Sequence, residues 1–68
     1  MQLHNIKSKN IEAIGYDADT RTLRIRFHNQ ETYDYYDISP GLYRAMLDPY
    51  PWSRVGSAVK EHTHRKIG

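Results

Sequence analysis

The sequence predicts an α+β domain, a three-stranded antiparallel β-meander followed by two short helices packed on one face. Two observations predict this class. Apolar and polar residues alternate strictly over residues 22–28, as in a strand with one buried and one solvated face. Later in the chain, Ser39-Pro40 predicts a helix start, because serine caps helices and proline suits their first position. Strands followed by helices, rather than alternating with them, indicate an α+β fold.

The chain has 68 residues, so residues 1–68 are expected to form a single domain. A domain of this size buries only about 60% of its unfolded surface, which makes its stability marginal. The absence of cysteine excludes disulfides and thiolate metal sites and favours a cytoplasmic location. No apolar run approaches the roughly 18 residues of a membrane span, so we expect no membrane association.

The first strand is predicted over residues 11–16 and the turn after it over residues 17–20, where aspartate side chains bond nearby amides. Ile11 and Ile14 lie at positions of opposite parity, yet both are candidates for the buried face. One extra residue in the strand would reconcile them, and a bulge is therefore predicted near Gly15.

The second hairpin joins residues 22–28 to the aromatic stretch at residues 32–36. We predict a three-residue loop at residues 29–31, with Gln30 or Glu31 in an awkward backbone conformation. A two-residue loop would place an aspartate on the buried face, which argues against that register. The predicted pairs are Phe27 with Tyr33, Ile25 with Tyr35, Arg26 with Asp34, and Arg24 with Tyr36.

The first helix is capped by Ser39 and ends at Pro49. Residues 50–52 are expected to form an extended link, and Ser53 to cap a second helix. Gly56 weakens that helix by about 1 kcal/mol relative to alanine. The helix places an apolar stripe on one face, formed by Val55, Ala58, Val59 and His62.

These motifs, in this order, resemble the KTSC domain, a short module named for its occurrence at the C-terminus of some lysyl-tRNA synthetases and also found as stand-alone bacterial proteins. The resemblance covers residues 6–47. It rests on residues 8–17, residues 22–27, the Tyr-x-Tyr pair Tyr33 and Tyr35, and Ile38 with Pro40. Residues 55–60 depart from typical members, which carry an aromatic-Asn pair, an isoleucine and a basic residue there. The resemblance implies no established activity, although RNA binding has been suggested for the family.

The sequence contains none of the common catalytic signatures: no nucleophile elbow, phosphate-binding loop, dinucleotide-binding turn or zinc-protease motif. We therefore expect no enzymatic activity and no cofactor. His62 and His64 are two positions apart, which on a helix points them to different faces and argues against a metal site.

Two binding hypotheses remain. The first is RNA binding, because residues 54–68 carry a net charge of +3 and the alternating strand has a basic face. Tyr36 on that face could stack a base, or could make only a cation–π contact with Arg24. Asp34 lies within the same face and would neutralise Arg26. The candidate nucleic-acid-binding residues are Arg24, Arg26, His28, Tyr36, Lys60, Arg65 and Lys66.

The alternative is a protein–protein interaction or self-association module. The strand at residues 11–16 or the segment 32–38 could offer an open edge to a protein partner or a second copy. Trp52 is either a core residue that packs over the end of the sheet or an exposed residue that binds a protein partner. Tyr33 and Tyr35 are expected in the core. The basic tail at residues 60–66 either binds phosphates or is a solvated, frayed helix end.

Overall fold

The computed structural model describes all 68 residues, which form one five-stranded sheet and two helices. Neighbouring strands are antiparallel and follow the chain in the order β1-β2-β3-β4-β5. The elements are β1 (His4–Asn5), β2 (Ile11–Asp17), β3 (Thr22–Phe27), β4 (Thr32–Tyr35), α1 (Pro40–Met46), α2 (Pro51–Lys60) and β5 (His64–Lys66). The predicted α+β class is confirmed, but the sheet has two more strands than predicted. Neither helix has the length and apolar character needed to span a bilayer.

The core lies between the helices and one face of the sheet, called here the helix-side face. Burying each of its aliphatic side chains contributes about 1.5–3 kcal/mol to stability. The alternation of β3 places Leu23 and Ile25 in this core and the intervening arginines on the opposite, outer face. The buried core residues are Ile11, Ile14, Leu23, Ile25, Tyr35, Ile38, Met46 and Val59.

A bulge in β2 brings both predicted isoleucines to the core. The pairing with β3 shifts between Ile11 and Ala13, so the extra residue is at Glu12 and not near Gly15, where it was predicted. Gly15 has a different role. A Cβ atom there would lie 2.7 Å from the Gln2 carbonyl oxygen and 2.9 Å from the Leu3 side chain. The N-terminal segment therefore crosses the sheet in contact with the Gly15 backbone.

The register of the β3–β4 hairpin differs by two residues from the prediction. The observed pairs are Leu23 with Tyr35, Arg24 with Asp34, Ile25 with Tyr33, and Arg26 with Thr32. The loop does contain three residues, but they are 28–30, and Gln30 has the predicted strained conformation (φ 73°). The Asn29 side chain accepts a hydrogen bond from the Glu31 amide, which fixes the turn at this position.

The start of α1 is as predicted: the Ser39 hydroxyl accepts a hydrogen bond from the Leu42 amide at 3.1 Å, and Pro40 is the first helical residue. The start of α2 differs from the prediction. This helix begins at Pro51, so the predicted extended link and the Ser53 cap are wrong. Tyr50 precedes it in a left-handed conformation (φ 55°), and its amide donates to the Lys7 carbonyl at 2.8 Å. That contact between distant segments sets the helix start.

The C-terminal tail is a strand and not a frayed helix end. After α2 ends at Lys60, β5 pairs with β4 and places His64 opposite Tyr35 and Arg65 opposite Asp34. Strand β1 likewise covers β2. The two segments predicted to offer open edges, residues 11–16 and 32–38, therefore have a strand on each side, although β1 pairs only with Ala13 and Ile14 and β5 only with residues 33–35.

Candidate functional site

The outer face carries Arg24 and Arg26 as predicted, but both are bound to carboxylates. Arg24 makes a bidentate ion pair with Asp34, with Nε–Oδ1 at 2.7 Å and Nη2–Oδ2 at 2.9 Å. The hydrogen bonds that Arg24 donates to Asp34 raise the pKa of Arg24. Arg26 Nε donates to Glu12. Because each guanidinium already has a partner, an anion on this face would have to compete with protein carboxylates.

Of the other predicted residues, Tyr36 and Arg65 lie near these arginines, and the two lysines do not. Tyr36 is half-buried and lies near Arg24, and Arg65 is exposed opposite Asp34 without an ion pair. His28 is exposed and contacts the Ser8 carbonyl. Lys60 and Lys66 lie on the helix side, where Lys60 Nζ is 5.5 Å from the Trp52 ring centre and Lys66 Nζ is 3.1 Å from a Glu31 carboxylate oxygen. The seven residues therefore belong to two separate surfaces.

A different surface stands out on the helix side, which we call the aromatic groove. The helices leave part of this face uncovered, and there Phe27, Tyr33 and Tyr35 of the sheet meet Trp52 of α2. Ring centres of Phe27 and Trp52 are 5.3 Å apart with an interplanar angle of 72°. Phe27 and Tyr33 are also edge-to-face, at 6.0 Å. Phe27, Tyr33 and Trp52 are only half-buried, so parts of their rings face solvent.

The two tyrosines of the Tyr-x-Tyr pair have different environments. Tyr35 is 4% exposed, as expected for a core residue, and burial raises its pKa. His64 of β5 packs against its ring at 5.1 Å. Tyr33 lies two residues earlier in β4, nearer to the hairpin loop, and is half-buried. The expectation that both belong to the core is therefore met only by Tyr35.

The aromatic groove comprises two adjoining hollows that share Trp52 as a lining residue. The larger has a volume of about 440 Å³ and is lined by Lys9, Asn10, Phe27, Asn29, Glu31, Tyr33, Tyr35 and Trp52. The smaller has a volume of about 370 Å³ and is lined by Ser8, Lys9, Asn10, Tyr50, Trp52 and Ser53. Lys9, Asn10 and Trp52 border both, and hollows of this size suit small-molecule ligands.

The rim of the groove is positively charged. Lys9 lines both hollows, and it forms no ion pair. Lys7 Nζ lies 5.7 Å from the Tyr50 ring centre, and Lys60 approaches Trp52 in the same manner. Glu31 is the sole acidic lining residue, and it is already bonded to Lys66, whose pKa it raises. Unpaired lysines beside exposed ring faces can hold a flat, negatively charged ligand.

The groove offers stacking and hydrogen bonding, with no arrangement for covalent chemistry on its walls. No nucleophilic side chain is hydrogen-bonded to a histidine or carboxylate base. The chain also lacks any group of three His, Cys, Asp or Glu side chains close enough to bind a metal.

Sequence reasoning missed Lys9, Asn10, Phe27 and Tyr50 as members of a site. Lys9 and Asn10 reach the groove because the segment before β2 packs beside α2, about 40 residues further along the chain. One signal was available: Phe27 and Tyr33 share the parity of the core residues but lie at the loop end of their strands. Two short helices cannot cover the whole face of a sheet, so rings at its end are candidates for exposure.

Comparisons with known proteins agree with this fold. The chain is similar to the KTSC domain protein YPO2434 from Yersinia pestis, whose crystal structure superposes with a TM-score of 0.89 at 30% sequence identity. The similarity covers 98% of this chain and 97% of that one, including the C-terminal third. No curated protein matches the chain. The model of the KTSC domain matches residues 7–49, which is more than half of the sequence, and the chain therefore belongs to the KTSC domain family.

Proposed function

We propose that this chain is a non-enzymatic module that binds single-stranded nucleic acid, with RNA as the first candidate, through the aromatic groove. One observation carries the proposal: partly exposed rings of Phe27, Tyr33, Tyr50 and Trp52 lie beside lysines that have no acidic partner. Bases of any sequence stack on aromatic rings, at about 1–3 kcal/mol per base, and lysines neutralise the phosphates between them.

Charge favours the groove over the outer face as the nucleic-acid surface. On the outer face, Asp34 and Glu12 engage Arg24 and Arg26, which leaves Arg65 as the candidate arginine without an ion pair. In the groove, Lys9 can bind a phosphate without losing a partner. RNA is tested first because the KTSC domain occurs on some synthetases that act on RNA, a property of those proteins and not of this chain.

Protein binding is the competing function, and the sheet gives it little support. The outermost strands β1 and β5 contain two and three residues, too short for strand addition to be extensive. A proline-rich peptide could also pack on aromatic rings, but it would make no use of the positive rim. A proline-rich peptide is therefore the alternative ligand in the test.

The test is an NMR titration of the protein with a short single-stranded RNA at low ionic strength. Amide shifts clustered at residues 9, 10, 27, 33 and 52 would support the groove. Shifts clustered at residues 24, 26, 28 and 36 would move the site to the outer face. An absence of shifts with RNA, together with groove shifts on adding a proline-rich peptide, would overturn the proposal in favour of protein binding.

A matched pair of variants separates the two faces. Tyr33→Leu and Tyr36→Leu each remove one half-buried tyrosine, three residues apart and on opposite faces of the sheet. We expect Tyr33→Leu to weaken RNA binding about fivefold to a hundredfold, the equivalent of one lost stacking contact, and Tyr36→Leu to leave it unchanged. Fluorescence polarisation measures both, and the opposite ranking would place the ligand on the outer face.

A further inference from the structure

The division of the groove into two hollows suggests how much of a nucleic-acid chain it binds. The wall shared by both hollows consists of Lys9, Asn10 and Trp52, and each hollow adds an aromatic wall of its own. Tyr50 stands in the smaller hollow, and Phe27 with Tyr33 in the larger. Each hollow thus combines an aromatic ring of its own with the wall that both hollows share.

Trp52, which lines both hollows, is held in a fixed position. Its indole lies against the backbone of Gly56, where an added Cβ would come within 2.9 Å of the ring atom Cδ2. The Phe27 ring packs against it with ring centres 5.3 Å apart, and the Lys60 ammonium lies 5.5 Å from its centre. Contacts on several sides leave the ring little freedom, so the wall that the two hollows share keeps its position.

Tyr50 is likewise held in place. Its left-handed backbone conformation is unfavourable for tyrosine, and the hydrogen bond from its amide to the Lys7 carbonyl maintains it. The ring is nonetheless 44% exposed, with Lys7 above it. A strained backbone that presents an exposed aromatic ring to a hollow is a common feature of binding sites.

The free polar groups lie on the wall that both hollows share. The side chains of Lys9 and Asn10 form no hydrogen bond within the chain. By contrast, Asn29 is bonded to Glu31, Ser53 donates to the Tyr50 carbonyl, and Ser8 accepts from two backbone amides. The free polar groups therefore border both hollows, and each hollow has an aromatic ring of its own.

We propose that the groove binds a dinucleotide step, with one base in each hollow and the linking phosphate at Lys9 and Asn10. Resting on the proposed function, this inference specifies the ligand unit. The bases match the aromatic walls, and the single negative charge between them matches the single lysine that borders both hollows.

The test uses the intrinsic fluorescence of Trp52, the one tryptophan of the chain. The wild-type protein is titrated with adenosine monophosphate, with the dinucleoside monophosphate ApA and with a single-stranded oligoadenylate. We expect ApA to bind at least about tenfold more tightly than the mononucleotide, although the mononucleotide carries more charge, because ApA gains a second stacked base. Extending ApA to the longer strand should add less than a further tenfold.

Tyr50→Asn tests the smaller hollow alone, because asparagine tolerates left-handed angles and the fold is thereby retained. This variant should reduce ApA affinity to the level of the mononucleotide and leave mononucleotide binding unchanged. Lys9→Gln should weaken ApA several-fold, whereas Arg65→Gln, which removes the same charge from the opposite face, should not. Circular dichroism verifies that each variant is folded.

The outcomes separate this inference from the proposed function. If the oligoadenylate binds in the groove but ApA binds no more tightly than the mononucleotide, the dinucleotide step is wrong and the proposed function stands. Equal losses in Lys9→Gln and Arg65→Gln would also refute the phosphate position. If no nucleotide of any length binds, the proposed function fails, and the dinucleotide inference fails with it.

Discussion

The contact between Gly56 and Trp52 permits a quantitative test. Gly56→Ala places a methyl group 2.9 Å from Cδ2, 3.1 Å from Cε3 and 3.2 Å from Cγ of the indole. The optimum separation of two carbon atoms is about 3.5–4.0 Å, so the ring must move by several tenths of an ångström. It cannot do so freely, since Phe27 borders its edge. Overpacking of this kind costs about 1–3 kcal/mol, and the helix propensity of alanine returns about 1 kcal/mol.

We therefore expect Gly56→Ala to lower the free energy of unfolding by about 1 kcal/mol, the difference between an overpacking cost near 2 and a propensity gain near 1. Urea denaturation followed by circular dichroism measures the change, and a shift of tryptophan emission reports movement of the indole. Ser57→Ala is the control, because Ser57 is exposed on the same helix and alanine there meets no obstacle.

The decisive measurement is a double-mutant cycle with Trp52→Leu. Once the indole is absent, Gly56→Ala should become stabilising by about 1 kcal/mol, because only the propensity gain remains. If Gly56→Ala stabilises the wild-type chain by that amount and leaves tryptophan emission unchanged, the packing argument is refuted, and with it the claim that Trp52 is held in a fixed position.

Three further predictions concern stability. Asp34→Asn should lower the free energy of unfolding by about 1–2 kcal/mol in urea denaturation, because it leaves Arg24 without its bidentate partner. Stability should fall as the pH rises above about 10: the buried Tyr35 phenol keeps its proton to a higher pH in the folded chain than in the unfolded chain, so deprotonation favours unfolding. Gly15→Ala should displace the N-terminal segment and accelerate hydrogen exchange at residues 13–15, because its methyl group would lie 2.7 Å from the Gln2 carbonyl oxygen.

Each of these predictions has a matched control. Glu12→Gln, at the more exposed ion pair with Arg26, should cost less than about 1 kcal/mol, and a larger loss than in Asp34→Asn would contradict the ranking. Tyr35→Phe should reduce the alkaline loss of stability, and an unaltered pH profile would exclude Tyr35 as its source. Gly41→Ala meets only the Ser39 hydroxyl oxygen, at 4.0 Å, and should be neutral or stabilising, whereas an effect equal to that of Gly15→Ala would refute the close-contact argument.

The parts of the fold that depend on local patterns were predictable. The alternation in β3 identified its buried and solvated faces, and the Ser39-Pro40 pair identified the start of α1. The exact register of the β3–β4 hairpin was not predictable, and the observed register differs from the predicted one by two residues. Such a shift preserves the face of every side chain, so the apolar pattern fits both registers equally well. The turn at residues 28–30 and the Arg24–Asp34 pair decide between them.

The parts that depend on distant contacts were not predictable. Strand β5 has three exposed residues, so no apolar alternation marks it, and it forms because β4 offers an unpaired edge. The start of α2 at Pro51 depends on the hydrogen bond between Tyr50 and Lys7. The groove also depends on distant contacts, because Lys9 and Trp52 become neighbours only when the segment before β2 packs beside α2.

The pairing of β5 with β4 also bears on aggregation. The segment Thr32–Tyr36 contains three tyrosines and a single charge, a composition that favours cross-β stacking when its amides are unpaired. In the folded chain, β5 pairs with this segment through backbone hydrogen bonds, and β5 is itself short and basic. Detachment of only a few C-terminal residues would thus expose an amyloid-prone segment, and lysine and arginine in the covering strand discourage a second molecule from taking its place.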